Sequence, residues 1–209
     1  MKFNDFKRKV AHLPVFSSSA LAALTEKPEA SKVQLSLWKK RGLVQVLRKG
    51  LYVLPPEERR IEPGLFYLAN QIYAPSYVSL ESALSHYGLI PEFVRATTSV
   101  TARKTRRFEN AFGIFSYRHV MPNGYGGFVS VKESSGLFVL MASPEKALVD
   151  FLYYNLSKIS ASDRKVFKAS FRFQNCGDLK IRTLKGHAAV FGVSKLQKVA
   201  DNFIKEMIA

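Results

Sequence analysis

The feature that most constrains the fold is a change of hydrophobic period at Gly42. Before this glycine, in PEASKVQLSLWKKR, apolar residues recur at the spacing of an amphipathic helix. After it, LVQVLRKGLYVL alternates with a period of two, which is typical of strands. Arg48-Lys49-Gly50 interrupts the alternation, and Gly50 can adopt the positive φ of a tight turn. The sequence therefore predicts a helix that ends at Gly42, followed directly by a β-hairpin.

Two shorter helices are predicted before this one. The first covers residues 4–12 and ends at Leu13-Pro14, because proline disfavours a helical residue before it. The second follows the serines at 17–19, which are good N-caps, and the third begins at Pro28. Three helices and a hairpin in about 55 residues predict a winged helix-turn-helix. PPEERR at 55–60 predicts a linker, so we expect a DNA-binding domain at 1–58 and a second domain at 59–209.

The third helix has two chemically different sides. Ala30, Val33 and Leu37 share one face, and Leu35 and Trp38 flank it. The opposite side and the hairpin tip supply the side chains predicted to bind DNA, namely Lys32, Ser36, Lys39, Lys40, Arg48 and Lys49. The alternative is a solvated lysine face on an ordinary helix.

Net charge favours a polyanionic partner. The chain has 32 Lys+Arg and 16 Asp+Glu, a net charge of +16, and its pI is about 10. Residues 1–60 have a net charge of +8, residues 61–150 of +1 and residues 151–209 of +7. The two ends of the chain are therefore basic and its middle is nearly neutral. This distribution favours nucleic acid as the binding partner, with a membrane surface as the second possibility.

The single cysteine, Cys176, permits no disulfide within the chain and suits a reducing cytoplasm. The N-terminus has no apolar run typical of a signal peptide, and no segment has the ~20 apolar residues of a membrane span. We therefore expect a cytoplasmic protein with no membrane partner.

The second domain is predicted to mix helices and strands, which gives an α+β protein. GLFYLANQIY, SLESALSHYGL with Ser79 as N-cap, and SPEKALVDFLYYN with Ser143 as N-cap predict helices. TTSVTA, FGIFSYRHV, GGFVSVKES and GLFVLMA predict strands, and the basic RKTRRF connects the first two. Residues 194–208 predict a closing amphipathic helix, whereas the pattern of residues 156–192 assigns no structure.

Several of these stretches, in this order, resemble the AbiEi-type antitoxin family, the antitoxin half of bacterial type IV toxin–antitoxin and abortive-infection systems. They are LWKKRGLVQVLRKGLYVLP, YVSLESALSHYGLIPE, RKTRRF, GIFSYRHV and MASPEKALVDFLYY. The resemblance covers roughly residues 14–155.

The resemblance implies two roles, used in abortive defence against phage. The N-terminal domain would repress its own promoter by binding duplex DNA. The second domain would counteract a nucleotidyltransferase toxin, without necessarily binding it tightly. On the matching positions, the resemblance also implies the DNA-binding residues named above, and it places antitoxicity in a basic cluster of Arg103, Lys104, Arg106 and Arg107. The alternative for this cluster is a solvated loop.

The sequence predicts no enzyme, no cofactor and no metal. It has no P-loop, no His-Glu-x-x-His, no Asp-x-Asp or Asp-x-Glu pair of the toxin type, and no metal-ligand spacing among its four histidines. Glu145 is expected to be a favourable first-turn charge, and Asp150 an exposed residue. Two other functions stay open: a winged-helix regulator with a ligand-sensing or dimerisation domain, and an RNA-binding protein that shields the toxin's substrate through its basic C-terminal third.

Overall fold

A computed structural model of the chain describes residues 1–25, 28–91, 94–160 and 164–208, with the side chains of residues 28 and 29 outside that description. The fold is mixed α+β, as predicted. The N-terminal part contains α1 (Phe3–Val10), β1 (Phe16–Ser17), α2 (Ser18–Ala23), α3 (Pro28–Lys40), β2 (Gln45–Arg48) and β3 (Leu51–Val53). Its three strands form an antiparallel sheet in the order β1-β3-β2.

Local chemistry accounts for the ends of these elements. The Ser17 hydroxyl accepts a hydrogen bond from the Ala20 N–H at 3.1 Å and so caps α2. Gly42 has φ +71° just after α3, and its N–H donates to the Lys39 carbonyl. Gly50 has φ +82° in the hairpin turn. The sequence predicted both glycine positions correctly.

The buried side of α3 differs from the apolar face in the sequence pattern. Trp38 stacks on Phe6 with ring centres 5.0 Å apart and meets Phe3 edge-on at 5.3 Å. These aromatic contacts hold the Leu35–Trp38 side of the helix against the core of the N-terminal part, whereas Val33 and Leu37 are 61% and 47% exposed. The ring packing from α1 therefore decides how α3 is rotated.

The second part of the chain adds six α-helices and six strands to the described structure. They are α4 (Leu65–Ile72), β4 (Ser76–Val78), α5 (Leu80–His86), β5 (Ala96–Thr101), β6 (Arg106–Asn110), β7 (Gly113–His119), β8 (Phe128–Lys132), β9 (Phe138–Ala142), α6 (Pro144–Tyr154), α7 (Val166–Ala169), α8 (Ile181–Val190) and α9 (Ser194–Met207). The strands form one mixed sheet in the order β6-β7-β5-β4-β9-β8. The β5–β7 and β4–β9 pairs are parallel and the others are antiparallel.

Two predicted helix caps have different outcomes. The Ser143 hydroxyl accepts from the Lys146 N–H at 3.2 Å at the start of α6, as predicted. Ser79 precedes α5 but makes no side-chain cap, because its hydroxyl donates to Asp150 at 2.8 Å. The prediction of a Ser79 cap was therefore wrong about the hydrogen bond.

The β2–β3 hairpin joins the two parts. A register shift between Val46 and Arg48 leaves Leu47 as an extra residue, a β-bulge. Leu47, Leu51 and Val53 are buried in the core of the second part, whereas Leu54 belongs to the core of the first. The hairpin thus lies between two hydrophobic cores and contributes to both.

The predicted linker at 55–60 is held by polar contacts. The Lys7 ammonium lies 2.6 Å from the Glu58 carboxylate, and the Arg60 N–H donates to the Ala11 carbonyl at 3.1 Å. Arg59 donates to the Leu54 carbonyl at 3.2 Å. The segment therefore packs along the N-terminal part.

Candidate nucleic-acid interface

A basic groove lies between the β2–β3 turn and the outer strand β6. Its volume is about 300 Å³. Among the residues that the structure describes, seven line it, of which four are cationic and none is acidic: Arg48, Lys49, Ile72, Tyr73, Arg103, Arg106 and Phe108. Residues predicted for DNA binding and for antitoxicity therefore meet in one place, although they are about 55 residues apart in sequence.

Arg103 lies over an aromatic ring. Its guanidinium carbon lies 4.4 Å from the centre of the Tyr73 ring, and Nη1 donates to the Ala74 carbonyl at 3.0 Å. The Tyr73 hydroxyl in turn donates to the Lys104 carbonyl at 3.1 Å. Such a fixed, planar guanidinium retains donors in the geometry that suits a phosphate group.

Arg48 links the hairpin to the second part of the chain. Its Nε donates to the Ile72 carbonyl at 2.6 Å and its Nη1 to the Lys49 carbonyl at 2.9 Å. Ile72 is the last residue of α4, where a positive charge is favourable. Burial raises the pKa of Tyr117, and the positive charge of Arg48 opposes part of that rise. Arg48 therefore has a structural role besides its charge.

Strand β6 divides the predicted basic cluster. RKTRRF was predicted as a connection, but the chain is a strand from Arg106 onward, because it pairs antiparallel with β7. Arg106 lies over the Phe108 ring at 5.3 Å and lines the groove. Arg107 alternates to the opposite face and pairs with Glu109 at 3.3 Å. Arg103 and Arg106 therefore line the groove, whereas Arg107 does not. The Lys104 side chain is exposed, and its backbone carbonyl accepts the hydrogen bond from Tyr73.

The exposed side of α3 is a second basic surface. Lys32, Ser36, Lys39 and Lys40 are all exposed, and so is Arg41 just after the helix. None of these five lines the basic groove. Glu29 is the acidic residue of the helix, and its side chain lies outside the described part of the structure. The exposed Val33 and Leu37 lie among these polar groups, a feature that sequence periodicity did not indicate.

A polar network around Asp150 is buried and separate from both surfaces. The Asp150 carboxylate is fully buried and accepts from Tyr77 at 3.0 Å, from Ser79 at 2.8 Å and from the Lys146 ammonium. Burial lowers the pKa of Lys146 and raises that of Asp150. The prediction that Asp150 is exposed was wrong, because α6 contacts α5 on one side and α8 and α9 elsewhere. Its closure from solvent makes this network structural.

Within the described ranges, no three His, Cys, Asp or Glu side chains are grouped closely enough to hold a metal ion. In the same residues, no helix combines the length and apolar character needed to cross a bilayer. Burial raises the pKa of Cys176 to about 11, so its thiol is protonated at neutral pH and is a poor nucleophile.

In comparisons with known proteins, no family model matches the chain, and no curated protein matches it. What the protein does must therefore be inferred from the geometry above and from the motifs of its sequence.

Proposed function

We propose that residues 1–58 form a winged helix-turn-helix that binds duplex promoter DNA, and that the whole protein is an autorepressing antitoxin of a type IV toxin–antitoxin system. The observation that carries the DNA-binding part is the exposed side of α3. It combines Lys32, Ser36, Lys39 and Lys40 on a helix whose other side is fixed by aromatic packing. A helix fixed in this way presents a rigid, basic surface, which is what major-groove binding requires.

The dimensions fit this proposal. Helix α3 has 13 residues, so it is about 20 Å long at ~1.5 Å per residue. The major groove of B-DNA is about 12 Å wide and admits one α-helix. The preceding α2 and the following hairpin occupy the positions expected in the chain order of a winged helix-turn-helix.

The basic groove supplies a second contact in this proposal. Its four cationic side chains line about 300 Å³, which suits the phosphates of a nucleic-acid backbone rather than a base sequence. Because Arg48 and Lys49 share the groove with Arg103 and Arg106, we expect the hairpin and the second domain to bind the same backbone.

The antitoxic role is proposed from the family resemblance. We assign it to Arg103 and Arg106 first, because both line the groove and both are supported by aromatic rings. Lys104 and Arg107 complete the predicted cluster. The functional partner is a nucleotidyltransferase toxin in the bacterial cytoplasm, and the protein itself has no catalytic step.

The test of DNA binding is a titration of the purified full chain. The duplex from immediately upstream of its own gene is compared with a scrambled duplex at two salt concentrations. We expect both affinities to fall steeply as salt is added. The upstream duplex should nevertheless bind more tightly than the scrambled one at both salt concentrations. Equal binding to both duplexes, or tighter binding to RNA, would contradict a specific repressor.

The groove is tested by two variants on the same strand. Arg106→Ala should lower affinity for upstream and scrambled duplexes alike and reduce the salt slope by about one, as expected for one lost phosphate contact. Arg107→Ala removes the same charge from the opposite face of β6 and is the matched control. Identical slopes for the two variants would remove the groove from the DNA-binding surface.

Growth on co-expression with the operon's toxin gene then tests antitoxicity, which Arg103→Ala plus Arg106→Ala should weaken.

A further inference from the structure

We infer that Val33 and Leu37 recognise the 5-methyl groups of thymine in the major groove, and that the protein therefore selects operators by their thymine positions. This inference rests on the proposed DNA-binding function and adds the chemistry of base selection to it. It starts from two large apolar side chains that α3 leaves exposed, at 61% and 47%.

Val33 and Leu37 lie on the exposed side of α3. At about 100° per residue, Val33 and Lys40 lie within ~20° of each other and roughly opposite Leu35 on the buried side. Ser36 and Leu37 lie beside them, whereas Lys32 and Lys39 lie nearer the buried side. In a helix that enters the major groove, the centre of the exposed face meets the bases and its flanks meet phosphates.

Neither side chain belongs to the N-terminal core in the described structure. The residues packed in or against the N-terminal core include Leu35, Trp38 and Leu43, but not Val33 or Leu37. A face that served only to neutralise phosphates would gain nothing from apolar groups at its centre. The surrounding cations, Lys32, Lys39, Lys40 and Arg41, make a polyanion the occupant that matches this face in charge.

The four bases differ in the groups that they present in the major groove. Thymine is the standard DNA base that presents an apolar group, its 5-methyl, in the major groove. Val33 and Leu37 are one turn apart, a rise of about 6 Å, which spans roughly two base pairs at ~3.4 Å each. The two side chains therefore fit methyl groups on neighbouring or next-neighbouring pairs, with Ser36 and Lys40 available for polar base edges.

The experiment removes the methyl groups from the DNA and the apolar groups from the protein. The upstream duplex is prepared with thymidine or with deoxyuridine throughout, since these differ by the 5-methyl alone, and scrambled duplexes of both kinds correct for general effects. For the natural chain we expect affinity for the upstream duplex to fall about four-fold for each methyl contacted, with an unchanged salt slope.

The double variant Val33→Ala plus Leu37→Ala should bind the thymidine duplex less tightly and give a thymidine-to-deoxyuridine affinity ratio near one. Val190→Ala is the matched control, because Val190 is also an exposed helical valine, at 53%, and lies on α8. It should keep the ratio of the natural chain. Both substituted positions are exposed, and Trp38 fluorescence checks that the N-terminal core is intact.

The outcomes separate the two proposals. If the natural chain does not prefer its upstream thymidine duplex over the scrambled one, the proposed function fails. If the natural chain prefers the upstream duplex but binds its thymidine and deoxyuridine forms with equal affinity, DNA binding stands and the inference about thymine methyl groups is overturned. If the double variant lowers the oligomeric state in sedimentation and keeps the ratio of the natural chain, the face joins two copies of the protein, and the inference is again overturned.

Discussion

At the scale of single residues, the Lys146–Asp150 pair shows how burial changes the contribution of an ion pair to stability. The two residues are one helical turn apart on α6, a spacing that is usually a weak surface interaction. Here the side chains are 3% and 0% exposed, and Tyr77 and Ser79 donate to the same carboxylate. Removing one partner would leave the other charge buried and uncompensated.

We predict that Lys146→Met lowers the free energy of unfolding by about 3–5 kcal/mol, because it leaves the Asp150 carboxylate without its cation. Asp150→Asn added to Lys146→Met should restore part of this loss, since the neutral amide can still accept from Tyr77 and Ser79. Urea unfolding followed by circular dichroism measures both changes. A double variant less stable than Lys146→Met alone would show that the charges are not the source of the effect.

Residue environments were predictable where the cause is local. Gly42 and Gly50 have the positive φ that their place after a helix and in a turn requires. Asp150 was not predictable, because its burial depends on helices distant in sequence. The sequence analysis did not predict that Tyr73 and Phe108 pack against arginines. For Phe108 a signal was present, because residues two apart on a strand, such as Arg106 and Phe108, lie on the same face.

At the scale of elements, α4 is held at its start by a side chain from another hairpin. Gly64 is its N-cap, and the Tyr67 N–H donates to the Glu133 carboxylate, which comes from the β8–β9 turn. Burial raises the pKa of Glu133, and this hydrogen bond opposes the rise. A Cβ at position 64 would lie 2.6 Å from both Glu133 carboxylate oxygens, so the glycine provides the space for the cap.

We predict that Gly64→Ala lowers the free energy of unfolding by about 0.5–1.5 kcal/mol, because the added methyl displaces the Glu133 carboxylate and with it the hydrogen bond from the Tyr67 N–H. Gly64 has φ −68°, which alanine adopts without strain. In a Glu133→Ala background the same substitution should therefore be neutral or stabilising by up to about 1 kcal/mol. Thermal or urea unfolding of the natural chain, the two single variants and the double variant gives the coupling energy between the two positions. Equal effects of Gly64→Ala in both backgrounds would exclude the contact.

Element boundaries followed from sequence where caps and turns mark them, as for α3, α6 and the two hairpins. Helices α7 and α8 were missed for a physical reason. They begin after Lys165 and Lys180, and neither lysine makes a side-chain cap. Their start depends on packing against α9 and α6 instead, which no local pattern indicates.

At the scale of the whole molecule, two cores share the β2–β3 hairpin. Leu47 and Val53 are buried in the second core, while Leu54 at the end of the hairpin is buried in the first. The Asn110 side chain also donates to the Leu47 carbonyl at 2.9 Å, from the end of β6. We therefore expect the two parts to unfold together.

The single tryptophan makes this measurable, since Trp38 lies in the N-terminal core. We predict that Leu184→Ala, a change in the second core, lowers the urea midpoint of Trp38 fluorescence as much as that of circular dichroism. The loss in free energy of unfolding should be about 2–5 kcal/mol, because Leu184 is fully buried. A fluorescence midpoint that stays constant while the circular dichroism midpoint falls would mean that the two parts unfold independently.

The arrangement of the whole was the least predictable from sequence. The α+β class followed from the local patterns, but the sheet order β6-β7-β5-β4-β9-β8 depends on pairings that no local pattern specifies. The same holds for the basic groove. Its residues come from three separate segments, near positions 48, 72 and 106, and only the folded sheet and hairpin bring them together.

The shared hairpin has a consequence for building chimaeras of this protein. An N-terminal part cut out at residue 58 would carry Leu47, Leu51 and Val53 as an uncovered apolar surface. The remaining chain would lose the side chains that fill its core at that place. Exchanging the N-terminal part between related proteins would therefore succeed only when the acceptor supplies a matching surface, so the two sides of this contact must change together.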